Sequence, residues 1–214
     1  MSTKIILIRH GETAWNAERR LQGHIDIGLN DAGRRQADAL AAALAGAPLA
    51  AIVASDLRRA RQTAQAVADQ HDLPVHSDRQ LRERCYGGFE GLLYAEIAQR
   101  YPSEYAAWQG RDIDAVMPSG ARVAESFRQF HARALAAVVN WAERHAGQTI
   151  AIVAHGGVLE CIYRAALGLP LDTARDFQIF NASINRFSVA GGKCSLKHWG
   201  DVAHLAAAAI DELP

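Results

Sequence analysis

The sequence predicts an α/β protein in which a mostly parallel sheet lies between two layers of helices, a three-layer αβα sandwich. Apolar runs alternate with helical segments along the chain, a pattern typical of parallel sheets covered on both faces. The first run, 5–8, has four consecutive apolar residues, three of them β-branched. Near the other end, 184–189 and 195–199 are joined through two glycines, which indicates a hairpin-like pair with one strand antiparallel.

Local signals predict the elements between these runs. Asn30 is a good N-cap, and we expect an alanine-rich helix to follow it over 32–45. Ser55 follows the second strand and is expected to cap the next helix. The other expected elements are strands over 50–54, from Pro74 onward and over 149–154, and helices over 56–70, 125–145 and 158–167.

One segment interrupts the regular alternation. Residues 81–120 are rich in glycine and proline and contain five tyrosine or tryptophan residues. Such a segment inside an α/β chain is typical of a lid over a ligand site. We therefore expect a single domain over 1–214 with a small lid insertion at about 86–124.

Composition limits the possible partners. The 214 residues carry a formal net charge of zero and are 50% apolar, which argues against disorder, a nucleic-acid partner or a membrane surface. The three cysteines are far apart, so reduced thiols in a cytoplasmic protein are expected. We expect no signal peptide and no membrane span. The sequence leaves open whether copies of the chain associate into a homo-oligomer.

Chemically similar residues follow three of the predicted strands. Arg9 and His10 end the first strand, Arg58-Arg59 come soon after the second, and His155 follows a later one. An isolated Arg-His pair is more often a solvated surface feature. However, the carboxyl ends of parallel strands meet at one edge of a sheet, where ligands bind. We therefore expect two histidines and at least one further arginine to converge there.

A zinc site is the obvious rival explanation for two converging histidines. Adjacent guanidiniums would repel a cation, and no carboxylate or thiol lies at ligand spacing from the histidines. Arginine forks instead match a phosphate dianion, and a neutral imidazole nitrogen can attack phosphorus. The residues thus favour phosphoryl chemistry, with no metal ion and no cofactor.

The motifs together resemble those of the histidine phosphatase superfamily, also called the phosphoglycerate mutase-like family. They occur in the family's order along residues 9–157. The matching stretches are Arg9 to Asn16, Gln22-Gly23 with Asp26 and Leu29, 55–64, 81–83, Gly87 with Glu90-Gly91, Glu125-Ser126 and 155–157.

This resemblance implies a phosphoglycerate mutase-like fold and a role for each matching residue. His10 would attack phosphorus and become phosphohistidine, while Arg9, Arg59 and His155 would bind the phosphoryl oxygens. Glu83 would be the general acid that protonates the leaving oxygen. A backbone carbonyl is expected on the second ring nitrogen of His10. The substrate-binding residues implied are Asn16, Gln22, Gly23, Tyr86 and Gly156.

We expect a metal-independent phosphomonoesterase that acts on a small-molecule phosphate ester. The alternative enzyme is a phosphoglycerate mutase. Tyr94, Gln109 and Gly110 stand where such mutases carry cationic residues, although Arg100, Arg111 or Arg122 are candidates to replace them. An alternative of another class is a phospho-ligand binding module without turnover. The complete set of matching catalytic residues argues against that module.

Overall fold

A six-stranded mixed sheet forms the centre of the computed structural model, which describes residues 1–205. Residues 206–214 of the expected domain lie outside the described part. The strands are β1 (Thr3–Arg9), β2 (Leu49–Ser55), β3 (Val75–Asp78), β4 (Thr149–Ala154), β5 (Ile184–Ala190) and β6 (Lys193–Asp201). Their order across the sheet is β3-β2-β4-β1-β5-β6. Among these six strands, β5 runs opposite to the other five and pairs antiparallel with both β1 and β6, which confirms the expected hairpin-like pair.

Helices cover both faces of the sheet. They are α1 (Ala14–Ala17), α2 (Asp31–Leu44), α3 (Arg58–Asp69), α4 (Tyr94–Arg100), α5 (Pro102–Gln109), α6 (Phe127–Arg144) and α7 (Gly156–Leu167), with short 3-10 turns at Arg79–Leu81 and Gly87–Phe89. Successive strand side chains point to opposite faces. Ile6 and Ile8 of β1 therefore pack with α2 and α3, whereas Ile5 and Leu7 pack with α6 and α7. The three-layer αβα prediction is confirmed.

Two helix boundaries differ from the expectation in a way that matters for the site. Ser55 does not cap α3, which begins at Arg58 instead of residue 56. The backbone N–H of Arg58 donates to Asp26 Oδ1 at 2.6 Å. A carboxylate from another loop therefore accepts a hydrogen bond from an N–H group in the first turn of α3. Helix α7 begins at Gly156 rather than at residue 158, so its N-terminus directly follows His155.

Strand register brings the ends of three neighbouring strands together. Arg9 of β1 is paired with Ala154 of β4, and Ala54 of β2 is paired with Val153 of β4. His10 and His155 are the next residues of two adjacent parallel strands, so both must emerge at the same edge. This register is the reason that residues 145 positions apart in the sequence become neighbours.

The loop after His10 is held against α2 by a close approach of two backbones. A Cβ atom on Gly33 would lie 2.0 Å from the carbonyl oxygen of Glu12, and one on Gly11 would lie 2.5 Å from the oxygen of Gly33. Only glycine permits this contact. The first turn of α2 therefore supports the backbone that follows the candidate nucleophile.

The segment between β3 and α6 packs around its own aromatic cluster. Phe89 and Trp108 are 5.9 Å apart between ring centroids, and Tyr86 and Trp108 are 5.6 Å apart. Its fully buried members include Phe89 and Ile97. This cluster gives the segment a small core of its own beside the sheet edge.

Among the helices within residues 1–205, none has the length and apolar character needed to cross a membrane.

Candidate active site

His10 lies at the sheet edge with its two ring nitrogens in different environments. Nδ1 lies 2.7 Å from the carbonyl oxygen of Gly11, and the Nε of Arg59 lies 3.2 Å from Nε2. A carbonyl can only accept a hydrogen bond and a guanidinium can only donate one. The proton must therefore be on Nδ1, which leaves the Nε2 lone pair toward the site. The expected backbone carbonyl on the second nitrogen is confirmed as that of Gly11.

Two buried arginines flank this lone pair. Arg9 Nη1 donates to the carbonyl of Ile179 at 2.6 Å, and Arg59 Nη2 donates to the carbonyl of Gly23 at 2.8 Å. Burial lowers the pKa of Arg59 to about 10, so the guanidinium stays charged at neutral pH. Burial, followed by the charges of Arg59 and Arg9, holds the pKa of His10 well below its ordinary value. The imidazole is therefore neutral where an ordinary histidine is partly protonated.

His155 faces His10 across the site, with ring centroids 5.2 Å apart. It is fully buried, and within residues 1–205 neither of its ring nitrogens has a hydrogen-bond partner. Burial, then the charge of Arg59, holds the pKa of His155 well below its ordinary value. His155 is also the N-cap of α7, whose N-terminus favours anions. An anionic oxygen would satisfy a ring N–H that the protein leaves unpaired.

Glu83 supplies a carboxyl group to the depression that His10 also lines. The backbone N–H of Arg84 donates to Oε1 at 2.7 Å, and that of Gly157 donates to Oε2 at 2.9 Å. Burial raises the pKa of Glu83 above its ordinary value, although these two N–H groups and the nearby arginines oppose the change. Gly157 has no room for a side chain, because a Cβ there would lie 2.2 Å from Glu83 Oε1.

The backbone that carries Glu83 is held by residues that the sequence analysis did not identify. Arg133 of α6 donates to the carbonyls of Gln80 at 2.6 Å and of Glu83 at 3.2 Å, and it pairs with Glu125 at 2.5 Å. His24 Nε2 lies 2.7 Å from the same Glu83 carbonyl oxygen. One guanidinium thus fixes the Glu83 segment to a long helix. Its position about two turns into α6 gives no sequence signal for this role.

The structure brings together the residues expected to form the site. A depression of about 390 Å³ is lined by Arg9, His10, Asn16, Gln22, Gly23, Arg59, Glu83, Tyr86 and Gly156, and His155 contacts His10 beside it. Arg20, Leu21 and Tyr94 also line it, and the sequence analysis did not assign them to the site. The Glu90 carboxylate does not line this depression. It accepts hydrogen bonds from the backbone N–H groups of His24 and Tyr86 and so connects two loops.

The arrangement can transfer a group from an ester oxygen to His10. A neutral ring nitrogen faces the site, cationic and N–H donors surround the position of a tetrahedral anion, and a carboxyl with a raised pKa lies beside it. Within the described part of the chain, no group of three or more His, Cys, Asp or Glu residues could hold a metal ion.

Comparisons with known proteins identify what the chain is similar to. Residues 5–202 match the family described as the histidine phosphatase superfamily (branch 1). Phosphoglycerate mutase-like protein 4 of Arabidopsis thaliana is 40% identical over 94% of this chain and 86% of the relative. Metal-independent phosphoserine phosphatase of the same plant is 37% identical over 95% of this chain and 83% of the relative. The solved structure of Bacillus stearothermophilus YhfR superposes with a TM-score of 0.86, at 37% identity over 94% of this chain and 98% of that one.

The adjacent residues Arg58 and Arg59 offer a matched test of the anion site. Arg59 is buried beside His10, whereas Arg58 is exposed on the first turn of α3. We expect Arg59→Met to weaken binding of inorganic phosphate by at least tenfold, since a charge-assisted hydrogen bond contributes about 1.5–3 kcal/mol. Arg58→Met should bind phosphate as the unaltered protein does. Titration calorimetry measures both, and equal losses in the two variants would contradict the placement of the anion.

Proposed function

The chain belongs to the histidine phosphatase superfamily, and we propose that it is a metal-independent phosphomonoesterase that transfers the phosphoryl group of a small phosphorylated metabolite through His10 to water. The observation that carries the proposal is the Nε2 lone pair of His10, which faces Arg59 Nε at 3.2 Å in the depression that Glu83 also lines. Its relatives' names, which include a phosphoserine phosphatase that is metal-independent, support the same reaction class.

In the first step, Nε2 of His10 forms a bond to phosphorus as the bond from phosphorus to the ester oxygen breaks. Arg9, Arg59 and His155 surround the equatorial oxygens and offset the charge that spreads over them. Glu83 gives its proton to the departing oxygen, so that an alcohol leaves rather than an alkoxide. The products of this step are the alcohol, a carboxylate at Glu83 and phosphohistidine at His10.

In the second step, water replaces the alcohol. The Glu83 carboxylate takes a proton from the water as its oxygen attacks phosphorus, and the bond from phosphorus to Nε2 breaks. Inorganic phosphate leaves, while His10 returns to its neutral form and Glu83 to its protonated form. Because one carboxyl group serves as acid and then as base, its raised pKa suits both steps.

Residues 86–124 are proposed as a lid over this site. Tyr86 and Tyr94 line the depression, and both pack on Trp108, with ring centroids 5.6 and 5.8 Å apart. The aromatic cluster therefore connects the substrate side of the site to the rest of the segment.

A cytoplasmic location is part of the same proposal, because the three cysteines are free thiols that a reducing compartment would preserve.

The mutase alternative needs cationic side chains that hold the substrate while it is rephosphorylated. Arg111 is paired with Glu160, Arg122 is paired with Glu90 at 3.2 Å, and Arg100 is exposed. None of the three lines the depression around His10. Tyr94 does line it, at a position where mutases carry a cation. We therefore favour transfer to water.

Glu83→Gln and His10→Ala should fail in different ways. His10→Ala should release almost no phosphate from any ester. Glu83→Gln should slow an alkyl ester by about 10²- to 10⁴-fold, the usual contribution of a general acid, and an aryl ester with a good leaving group much less. Phosphate release is measured for both esters in excess chelator, with Glu143→Gln on the exposed side of α6 as the control. An equal loss for both esters would mean that Glu83 is not the acid.

The shifted pKa values of His10 and Glu83 predict how activity depends on pH. Activity should fall as pH rises through the raised pKa of Glu83, because the acid loses its proton. It should fall at low pH as His10 is protonated, but only below the range of an ordinary histidine, because burial lowers the pKa of His10. Both limbs belong to the coupled site. Glu83→Gln should lose the alkaline limb of the profile, and a retained limb would assign it to another group.

Incubation with 3-phosphoglycerate and a trace of the corresponding bisphosphate separates a phosphatase from a mutase. We expect release of phosphate to exceed formation of 2-phosphoglycerate, because Tyr94, Gln109 and Gly110 supply no positive charge at the positions where mutases hold the intermediate product. Both products are followed over the same time course. Isomerisation that far outpaces phosphate release would instead establish the mutase.

A further inference from the structure

We propose that Asn181 and Thr63 are positioning residues, which hold the peptide between His10 and Gly11 and so orient the His10 ring toward the phosphorus atom. The inference rests on the proposed phosphatase function and extends it to two residues that do not line the depression around His10. Both side chains are fully buried, and both form hydrogen bonds to this one peptide. Asn181 comes from the turn before β5, whereas Thr63 belongs to α3.

The two polar groups of the peptide have partners on different elements of the fold. The carbonyl oxygen of His10 accepts from Nδ2 of Asn181 at 3.0 Å. The N–H of Gly11 donates to Oγ1 of Thr63 at 3.0 Å, and the Thr63 hydroxyl in turn donates to the carbonyl of Arg59 at 2.9 Å. Because the N–H and C=O of a trans peptide point in opposite directions, rotation of this peptide would break a hydrogen bond on each side.

The peptide needs this support because residue 11 is glycine. A Cβ atom there would lie 2.5 Å from the carbonyl oxygen of Gly33, so the packing against α2 leaves no room for a side chain. Glycine has no Cβ and therefore restricts its own φ and ψ angles very little. The carbonyl oxygen of Gly11 is also the atom that lies 2.7 Å from Nδ1 of His10. Contacts that fix the backbone at Gly11 therefore also fix the orientation of the His10 ring.

The turn that carries Asn181 has a strained backbone. A backbone hydrogen bond of 3.2 Å between its first and last residues closes the turn 180–183. Ala182, at the centre of the turn, has a φ of 54°, in the left-handed region that residues with a Cβ rarely adopt. In this conformation the N–H of Ala182 donates to the carbonyl oxygens of Arg9 at 3.0 Å and of His10 at 3.2 Å. The strained turn thus holds the backbone of both residues at the end of β1.

The Asn181 amide is present at a cost to stability. Its Oδ1 is buried and has no hydrogen-bond partner within residues 1–205. The amide cannot be turned around, because an oxygen that faced the carbonyl of His10 could not donate to it. A buried acceptor without a partner lowers the free energy of unfolding. Such a cost, next to the strained φ of Ala182, is typical of positions that serve a site rather than the stability of the fold.

Asn185 provides a matched control for Asn181. It is also fully buried, and its Nδ2 donates to the carbonyl of Leu7 in β1 at 3.2 Å. Its Oδ1 accepts from the N–H of Gly200 at 2.8 Å, so both polar atoms of this amide have partners. The two asparagines share their burial and their contact with the backbone of β1 or the residue after it, but only Asn181 reaches the peptide of the nucleophile.

The first test compares Asn181→Ala with Asn185→Ala in the full chain. Asn181→Ala should slow the formation of phosphohistidine from an aryl phosphate, in a single turnover, by on the order of 10- to 100-fold, the effect of a small misplacement of the reacting atoms. Inorganic phosphate should still inhibit at nearly the same concentration, because Arg9, Arg59 and His155 are unchanged. Asn185→Ala should lower the melting temperature and leave both the rate and the inhibition unchanged.

Nitrogen NMR of the His10 ring gives a readout that does not depend on turnover. The proton on Nδ1 should be protected from solvent exchange in the unaltered protein and in Asn185→Ala, because the Gly11 carbonyl holds it. In Asn181→Ala this proton should exchange faster. A merely structural role for Asn181 would lower the melting temperature without separating the two variants in this measurement.

Thr63→Val and Thr63→Ser test the same peptide from its other end, and this pair decides the matter if Asn181→Ala does not fold. Valine has no hydroxyl to accept from the N–H of Gly11, so formation of phosphohistidine should slow as it does in Asn181→Ala. Serine keeps the hydroxyl and should retain most of the unaltered rate.

Two results would overturn the proposal. One is an equal rate of phosphohistidine formation in Asn181→Ala and Asn185→Ala, and the other is an equal rate in Thr63→Val and Thr63→Ser. An unaltered protein that hydrolyses no aryl phosphate would instead refute the proposed function.

Discussion

The hydrogen bond between His10 Nδ1 and the carbonyl of Gly11 is the interaction on which the site depends. At 2.7 Å it fixes the ring orientation and the tautomer together, and Arg59 confirms that tautomer from the other side of the ring. The backbone that follows His10 lies against α2 at Gly11 and Gly33, where a Cβ atom would come within 2.5 and 2.0 Å of a backbone oxygen. The fold thus presents a single lone pair, at Nε2, to the substrate.

The second constraint is electrostatic. A chain with no net charge concentrates Arg9, Arg59 and Arg84 around one carboxyl group, Glu83. These guanidiniums donate hydrogen bonds to backbone carbonyls, and Glu83 offsets part of the charge of Arg59 and Arg84. Burial and then the charges of Arg59 and Arg9 lower the pKa of His10, while burial raises that of Glu83. A base and an acid can therefore coexist in the forms that phosphoryl transfer requires.

The sequence was sufficient to predict what depends on strand order and local signals. Alternating apolar runs predicted the three layers, and polar residues placed directly after strands predicted the convergence of His10, Arg59 and His155. It could not reveal contacts made by side chains from the middle of a helix. Arg133 lies on α6 and reaches the Glu83 carbonyl, and no periodicity distinguishes it from a solvated arginine. Asp26, rather than the expected Ser55, accepts the hydrogen bond from the first N–H group of α3, and its carboxylate comes from a loop 32 positions earlier in the chain. Local sequence patterns do not reveal tertiary contacts of this kind.

Trapping of the phosphorylated protein tests directly whether His10 is the nucleophile. A rapid acid-free quench after mixing with an aryl phosphate, followed by peptide mass spectrometry and phosphorus NMR, locates the covalent phosphoryl group. Because Nδ1 of His10 carries the proton that is donated to the carbonyl of Gly11, we expect phosphorus on Nε2 of His10. A phosphoryl group on His155 or on any other residue, or turnover with no phosphorylated protein, would contradict it.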